Sequence, residues 1–213
     1  MDVAGVLDAL RAMSRRMEAE RDFLTDLDNA IADGDHGINM ARGFAAVERK
    51  LPSLAGGDIG AVLKAVGMTI VSAVGGSAGP LYGTAFLKAG LALTGRSELT
   101  LDDFLGCFKA AVEGVRQRGR AVRGEKTMLD AMIPALEAMT AARAAGGDAK
   151  AVLAAGVAAA HEGVEYTKTI VATKGRASYI GERSLGHQDP GATSVTFLLE
   201  EIAASTEKSS LGT

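Results

Sequence analysis

The chain has 213 residues, 47% of them apolar and 23% charged, with a formal net charge of −3. That is ample for one globular core, lacks the basic excess of a nucleic-acid surface, and contains no apolar run near the ~18–20 residues of a membrane span. A single cysteine, Cys107, cannot form an internal disulfide and fits a cytoplasmic protein, and the opening residues show no charged segment of a secretory leader.

Leu7, Leu10, Met13 and Met17 follow a 3-4 spacing that runs on through Leu24 and Leu27, which predicts one long first helix. A second helix is expected near 38–51. Asp58 is a candidate N-cap for a third, through Ile59, Leu63, Val66, Ile70 and Val74. Gly79-Pro80 opens a fourth, with proline in a first turn that needs no N–H. Thr100 to Asp103 resembles a capping box before a helix ending near Gly119. A helix over Thr127–Ala145 is expected to kink at Pro134 or to break before it. An Ala-rich helix follows from Asp148 to about Thr173. The last runs from Pro190 or Ala192 to about Ser205. No alternating strand pattern with hairpin turns is present. The expectation is all-α: one domain over residues 1–206 with about eight helices, then a flexible polar tail over 207–213. Cys107, flanked by Phe104, Leu105 and Phe108, reads as a core thiol.

Glycine is 27 of 213 residues, well above the ~7% norm, while aromatics are 4% with no tryptophan. Many glycines fall in four clusters between the predicted helices: Asp33–Gly37, Gly75–Pro80, Gly119–Thr127 and Lys174–Ala192. In an antiparallel bundle, alternate connections share one end. The clusters follow predicted helices 1, 3, 5 and 7, so topology alone predicts one composite site at one rim.

The first cluster sets Asp28, Asp33 and Asp35 at the C-terminus of a helix, where the dipole repels unpaired acids. A divalent cation relieves that conflict, and oxygen-only ligands suit Mg²⁺. The alternative is a solvated acidic turn. An EF-hand is excluded, because the twelfth position is Asn39 or Phe44 rather than Glu. The second cluster, Gly75–Pro80, can bind phosphate on helix N–H groups or serve as a tight turn. The third imitates a P-loop, but Glu125 separates Gly124 from Lys126 and no strand precedes it, so that motif is rejected. Met128 and Met132 there suit an adenine or a core. The fourth is long for a compact domain. Lys174, Arg176 and Arg183 in it can neutralise phosphate, and Asp189-Pro190-Gly191 can start a helix facing a ligand. His36 and His187 lie in loops, and His161 in a helix reads as structural.

Taken together, Leu24–Asp28, Asp33–Met40, Gly75–Thr84, Lys126–Asp130 and Lys174–Ser194 resemble the L subunit of dihydroxyacetone kinase over nearly the whole chain. The resemblance implies an eight-helix antiparallel barrel that carries ADP or ATP and two Mg²⁺ at one rim. By position, Asp28, Asp33 and Asp35 match the metal ligands. His36, Gly37, Ile38 and Asn39 match a stretch lining the nucleotide, and Ser77 and Ala78 match the phosphate turn. Gly119 and Met128 match the base side, Arg176 the flap arginine, and Asp189, Pro190 and Gly191 the last contact. The order Ser77-Ala78 departs from the usual serine placement, so which hydroxyl touches phosphate stays open.

In one branch of the family a single fused chain consumes ATP. In the other, a phosphohistidine subunit M rephosphorylates ADP in place on L, which serves dihydroxyacetone held by subunit K. The unfused length, His36 after Asp-Gly-Asp and Gly186-His187-Gln188 resemble the second branch. Such a chain carries no catalytic side chain of its own, since the acid–base groups belong to the sugar-binding partner. The alternatives are an L subunit using exchangeable ATP for dihydroxyacetone or another triose or tetrose, and a nucleotide-sensing module that binds a transcription regulator.

Overall fold

The computed structural model describes residues 1–210, with side chains through Thr206. Side-chain caps set many of the helix starts. Asp2 begins α1 (Val3–Ala19), its carboxylate accepting from the Gly5 N–H at 2.9 Å. After α2 (Arg21–Ile31) and α3 (His36–Lys50), Asp58 caps α4 (Ile59–Ala73) through the Ala61 N–H. After α5 (Ala78–Ala92), Thr100 and Asp103 form a complete capping box on α6 (Leu101–Gly119). Then come α7 (Leu129–Ala144), α8 (Ala149–Thr167) capped by Asp148, and α9 (Pro190–Ser210). Short 3₁₀ helices occupy Leu51–Leu54 and Arg176–Ser184. No strand occurs among the described residues; one isolated bridge pairs Asp2 with Glu98.

Three boundaries differ from expectation. The single first helix is two, separated at Glu20, whose backbone (φ −95°, ψ 8°) leaves the helical region. The apolar rhythm continues from Met17 to Leu24 without a glycine or proline, so periodicity gives no sign of the break. Pro134 does not split α7, which runs through it from Leu129 to Ala144. Its missing N–H leaves the Asp130 carbonyl without its usual intrahelical donor. Gly163 of α8 lies against that oxygen: a Cβ there would sit 2.1 Å from it. The Ala-rich α8 stops at Thr167, short of Thr173, and Lys126 takes the carbonyl of Thr167 and that of Ile170 just beyond the helix. In the other direction, α9 continues past Ser205. Of the tail expected over 207–213, residues 207–210 continue the helical backbone and 211–213 lie outside the described residues.

The helices form a closed ring. α3 packs on α4, α4 on α5, and so in order to α9, which returns to α1 and α2. Both α1 and α2 touch α3 and α9, so together they fill one place, and the ring has eight positions as expected. The tightest pair, α4 with α5, is built on glycine. A Cβ on Gly60 would lie 2.6 Å from the Gly90 oxygen, and one on Gly90 would lie 2.7 Å from the Gly60 oxygen. Gly67 and Gly83 repeat this reciprocal approach one heptad along, at 2.8 and 3.0 Å. The glycine excess therefore serves helix crossings as well as loops.

The ring's interior is apolar, centred on Leu10, Met17, Phe44, Ile70, Val115, Met139 and Leu199. With few aromatic and many small residues, the inward faces leave a cavity of about 550 Å³ along the axis, between Val6, Leu10 and Met13 on one side and Phe108, Met132 and Leu198 on others. No helix among the described residues is long and apolar enough to cross a membrane.

Glycine positions here separate by what surrounds them. Gly163→Ala should lower stability by about 1–3 kcal/mol, because the new methyl meets backbone that cannot yield. Gly106→Ala, with open space around it in α6, should raise stability by roughly 0.5–1 kcal/mol through helix propensity alone. Urea midpoints of the two variants check both signs. Cys107 is 6% exposed, and burial, with Asp103 adding, pushes its thiol up to about 12. A thiol reagent at pH 8 should leave it unmodified in the native protein and react fully once the chain is unfolded in denaturant.

Candidate functional site

Connections of alternate helices meet at one end of the ring, as the sequence predicts. The segments α2–α3, α4–α5, α6–α7 and α8–α9 together line a pocket of about 130 Å³. Each of the four glycine-containing clusters contributes to its wall.

The first wall is carboxylate. Asp28 sits in the last turn of α2, and Asp33 and Asp35 follow in the turn to α3. One oxygen from each lies within 4.8 Å of the others. Asp28 is buried, and its Oδ2 accepts from the backbone N–H of Asp35 at 2.9 Å and of His36 at 3.2 Å. Burial pushes the Asp28 carboxyl up, the two N–H groups oppose this, and the charges of Asp33 and Asp35 push it further up. Gly34 makes the turn possible. Its φ is +73°, and the side chain of Asn29 fills the place a Cβ would take. An oxygen-only set of three carboxylates suits a hard cation such as Mg²⁺, which completes its shell with water or phosphate oxygens.

Opposite stands the turn before α5. Gly76 has φ +64°, and its position faces the Asp35 carboxylate, 3.9 Å from where a Cβ would stand. Ser77 precedes the first turn of α5 and makes no side-chain cap, so the free N–H groups there are not consumed by its hydroxyl. Such a turn and helix start present donors to an anion.

Behind these walls the third and fourth connections are locked together. Lys126, 1% exposed and at φ +61°, donates from Nζ to the Thr167 carbonyl at 2.6 Å and the Ile170 carbonyl at 3.2 Å, closing the end of α8. Burial lowers its ammonium pKa, while Asp189 and Asp130 oppose the shift. Asp130, fully buried, accepts from the N–H groups of Gly124 and Thr127. The Thr167 hydroxyl accepts from the Asp189 N–H at 2.9 Å. Asp189 in turn caps α9 through the Ala192 N–H at 2.6 Å. Its carboxyl is raised to about 7, first by burial and then by Asp130 and Asp28, against the Ala192 N–H and Lys126. Arg176, half-exposed on the 3₁₀ segment, reaches across to Asp33 Oδ2 at 2.9 Å.

Of the residues singled out in the sequence, Asp28, Asp33, Asp35, His36, Ser77, Ala78, Met128, Arg176, Asp189, Pro190 and Gly191 line this pocket. Four do not. Gly37 lies against the Arg21 carbonyl of α2, and Ile38 is half-exposed outside the pocket. Asn39 supports from behind: its Oδ1 accepts from Arg42, which also donates to the Ala73 carbonyl at the end of α4. Gly119 ends α6 beside Leu81. Arg183 and His187 are exposed and outside the lining, whereas Lys174 is in it. His161 pairs with Glu200 at 2.7 Å on the surface. Sequence reasoning did not single out Lys126 or Tyr82 as parts of the site. Lys126 stands between Glu125 and Thr127 in a polar loop, and a buried lysine is rare enough that solvent is the default expectation there.

The comparisons with known proteins agree with this geometry. Residues 30–204 match the DAK2 domain. The chain is 46% identical over 184 residues to "PEP-dependent dihydroxyacetone kinase, ADP-binding subunit DhaL" of Escherichia coli (strain K12), covering 86% of this chain and 88% of that one. It is 40% identical over 210 residues to "PEP-dependent dihydroxyacetone kinase 2, ADP-binding subunit DhaL" of Listeria innocua, covering 98% and 97%. Its fold superposes with a TM-score of 0.72 on the crystal structure of the dihydroxyacetone kinase from C. freundii in complex with AMP-PNP and Mg²⁺, at 23% identity, over 95% of this chain and 34% of that one. The eight-position helical ring, the aspartate triad and these matches place the chain in the DAK2 family, among the DhaL-type ADP-binding subunits of dihydroxyacetone kinase.

Proposed function

We propose that this chain holds ADP with two Mg²⁺ in the four-loop pocket and passes a phosphoryl group to dihydroxyacetone carried by a partner subunit K, the ADP being rephosphorylated in place by a phosphohistidine subunit M. The observation that carries the reading is the aspartate triad, three carboxylate oxygens within 4.8 Å of one another, facing a glycine turn that opens α5. Asp28, Asp33 and Asp35 would hold the cations, and bound magnesium supplies charge neutralisation and alignment for in-line transfer. The N–H groups around Gly76–Ala78 would receive phosphate oxygens. Arg176 would share its positive charge between Asp33 and a phosphate. Met128, 4% exposed and at the pocket's inner edge, offers an apolar surface to a base. The pocket is smaller than the ~300–1,000 Å³ that encloses a whole drug-sized ligand. It thus suits enclosure of the phosphate end, with the remainder at the open rim. The chain contributes no covalent nucleophile in this reading, and deprotonation of the sugar hydroxyl falls to the partner.

The full-length protein, purified in magnesium and sprayed from native buffer, should retain ADP by mass spectrometry. Asp33→Ala should lose that retention, by at least ~tenfold in ADP occupancy, while keeping its helical circular dichroism. Equal ADP content in variant and wild type would falsify the assignment. Steady turnover of dihydroxyacetone with K and free ATP, without M, would instead establish exchangeable ATP as the donor.

A further inference from the structure

Beneath the pocket three buried polar side chains from three elements meet. His36 opens α3, Tyr82 lies in α5 and Ser194 in α9, at 8%, 2% and 0% exposure. His36 Nε2 is 2.8 Å from Ser194 Oγ, and the Tyr82 hydroxyl is 2.7 Å from the same oxygen. Ser194 Oγ also lies 2.9 Å from the Pro190 carbonyl and 3.2 Å from that of Gly191, and Tyr82 lies 3.2 Å from the Gly191 carbonyl. Among the described residues, no hydrogen bond engages the other ring nitrogen of His36.

A hydroxyl has one proton to give, so the contacts sort by whether His36 Nε2 carries a proton, and one arrangement of each kind joins all three side chains. In the first, Ser194 donates to Pro190 and accepts from both Tyr82 and a His36 Nε2–H. That leaves a lone pair on Nδ1. In the second, Tyr82 donates to Ser194, Ser194 donates to His36 Nε2, and the imidazole keeps its proton on Nδ1. Tyr82 is a dependable donor, since burial holds its phenol above the ordinary range. The pocket that His36 lines is otherwise furnished for an anion, with the α5 N–H groups and Arg176. A lone pair there would face phosphate oxygens, whereas an N–H would donate to them.

We infer that Tyr82 and Ser194 are positioning residues: the chain Tyr82 to Ser194 to His36 fixes the imidazole as its Nδ1–H tautomer, making His36 a neutral hydrogen-bond donor to a nucleotide phosphate. The inference rests on the nucleotide reading above. It also ties α3, α5 and α9 to one another at the pocket floor, so that a ligand engaging His36 is felt by all three. Neither Tyr82 nor Ser194 touches the ligand in this arrangement.

The test is ¹⁵N-detected NMR of the imidazole in the full-length protein with Mg²⁺ and ADP, beside Ser194→Ala and the gentler Tyr82→Phe. Wild type should show His36 with Nδ1 protonated and Nε2 bare. Tyr82→Phe should populate both tautomers and weaken ADP about tenfold, the scale of one hydrogen bond to a charged group. Ser194→Ala should do at least as much, and Ser194→Thr, which restores the hydroxyl, should recover the tautomer. An Nε2-protonated His36 in the ADP complex overturns the inference and leaves the nucleotide reading standing. Wild-type protein that binds no ADP overturns both. ADP affinity unchanged in Tyr82→Phe, with the tautomer unchanged, removes Tyr82 from the role.

Discussion

Three carboxylates confined within 4.8 Å at the negative end of a helix repel one another and the helix dipole, and the surrounding structure is arranged around that repulsion. Two backbone N–H groups are spent on Asp28 alone. Arg176 is brought from a segment almost 150 residues away to sit on Asp33. Gly34 and Gly76 both take a left-handed backbone, at φ +73° and +64°. Each arrangement makes the acids tolerable without removing their charge, which is what a cation site requires.

The buried polar groups farther back form a separate scaffold. Lys126, Asp130, Thr167 and Asp189 join the α6–α7 and α8–α9 connections through backbone donors and acceptors. One lysine and two carboxylates influence one another there, with Asp189 raised to about 7, chiefly by burial. The scaffold orders two loops that would otherwise carry many unpaired carbonyl and N–H groups. It also lies just behind Met128, which with Tyr82 borders both the pocket and the apolar cavity in the ring. Two side chains thus separate a polar site from an apolar interior.

Much of this was legible before any coordinates. The caps at Asp58 and Thr100 to Asp103 announce themselves through residue type and spacing, and both form as read. The meeting of four loops follows from parity in an antiparallel ring, with no tertiary knowledge. What escaped was decided by partners distant in sequence. The break at Glu20 leaves the apolar rhythm intact. The α7 helix continues through Pro134, and Gly163 of α8 lies close to the Asp130 carbonyl that the proline leaves without its donor, a contact 33 positions apart in number that no local window contains. At the end of α8 the Thr167 carbonyl is taken by Lys126, from the α6–α7 connection. For the same reason Asn39 and Gly119, adjacent to the site in sequence, stay outside its lining, while Lys126 and Tyr82 are part of it.

The glycine crossings of α4 and α5 have a consequence for how the site is held. Antiparallel helices locked backbone to backbone at two points a heptad apart can neither slide nor splay without breaking both contacts at once. The Gly75–Ala78 turn is the tip of that locked pair, and so acts as an anvil. The segment carrying Arg176, by contrast, is an irregular 3₁₀ stretch interrupted at Gly181, resting on α2 rather than interleaved with it. The two walls are thus held differently: the one that receives the anion is fixed by interlocked backbone, whereas the one bearing Arg176 is fixed by the Asp33 ion pair and by packing on α2.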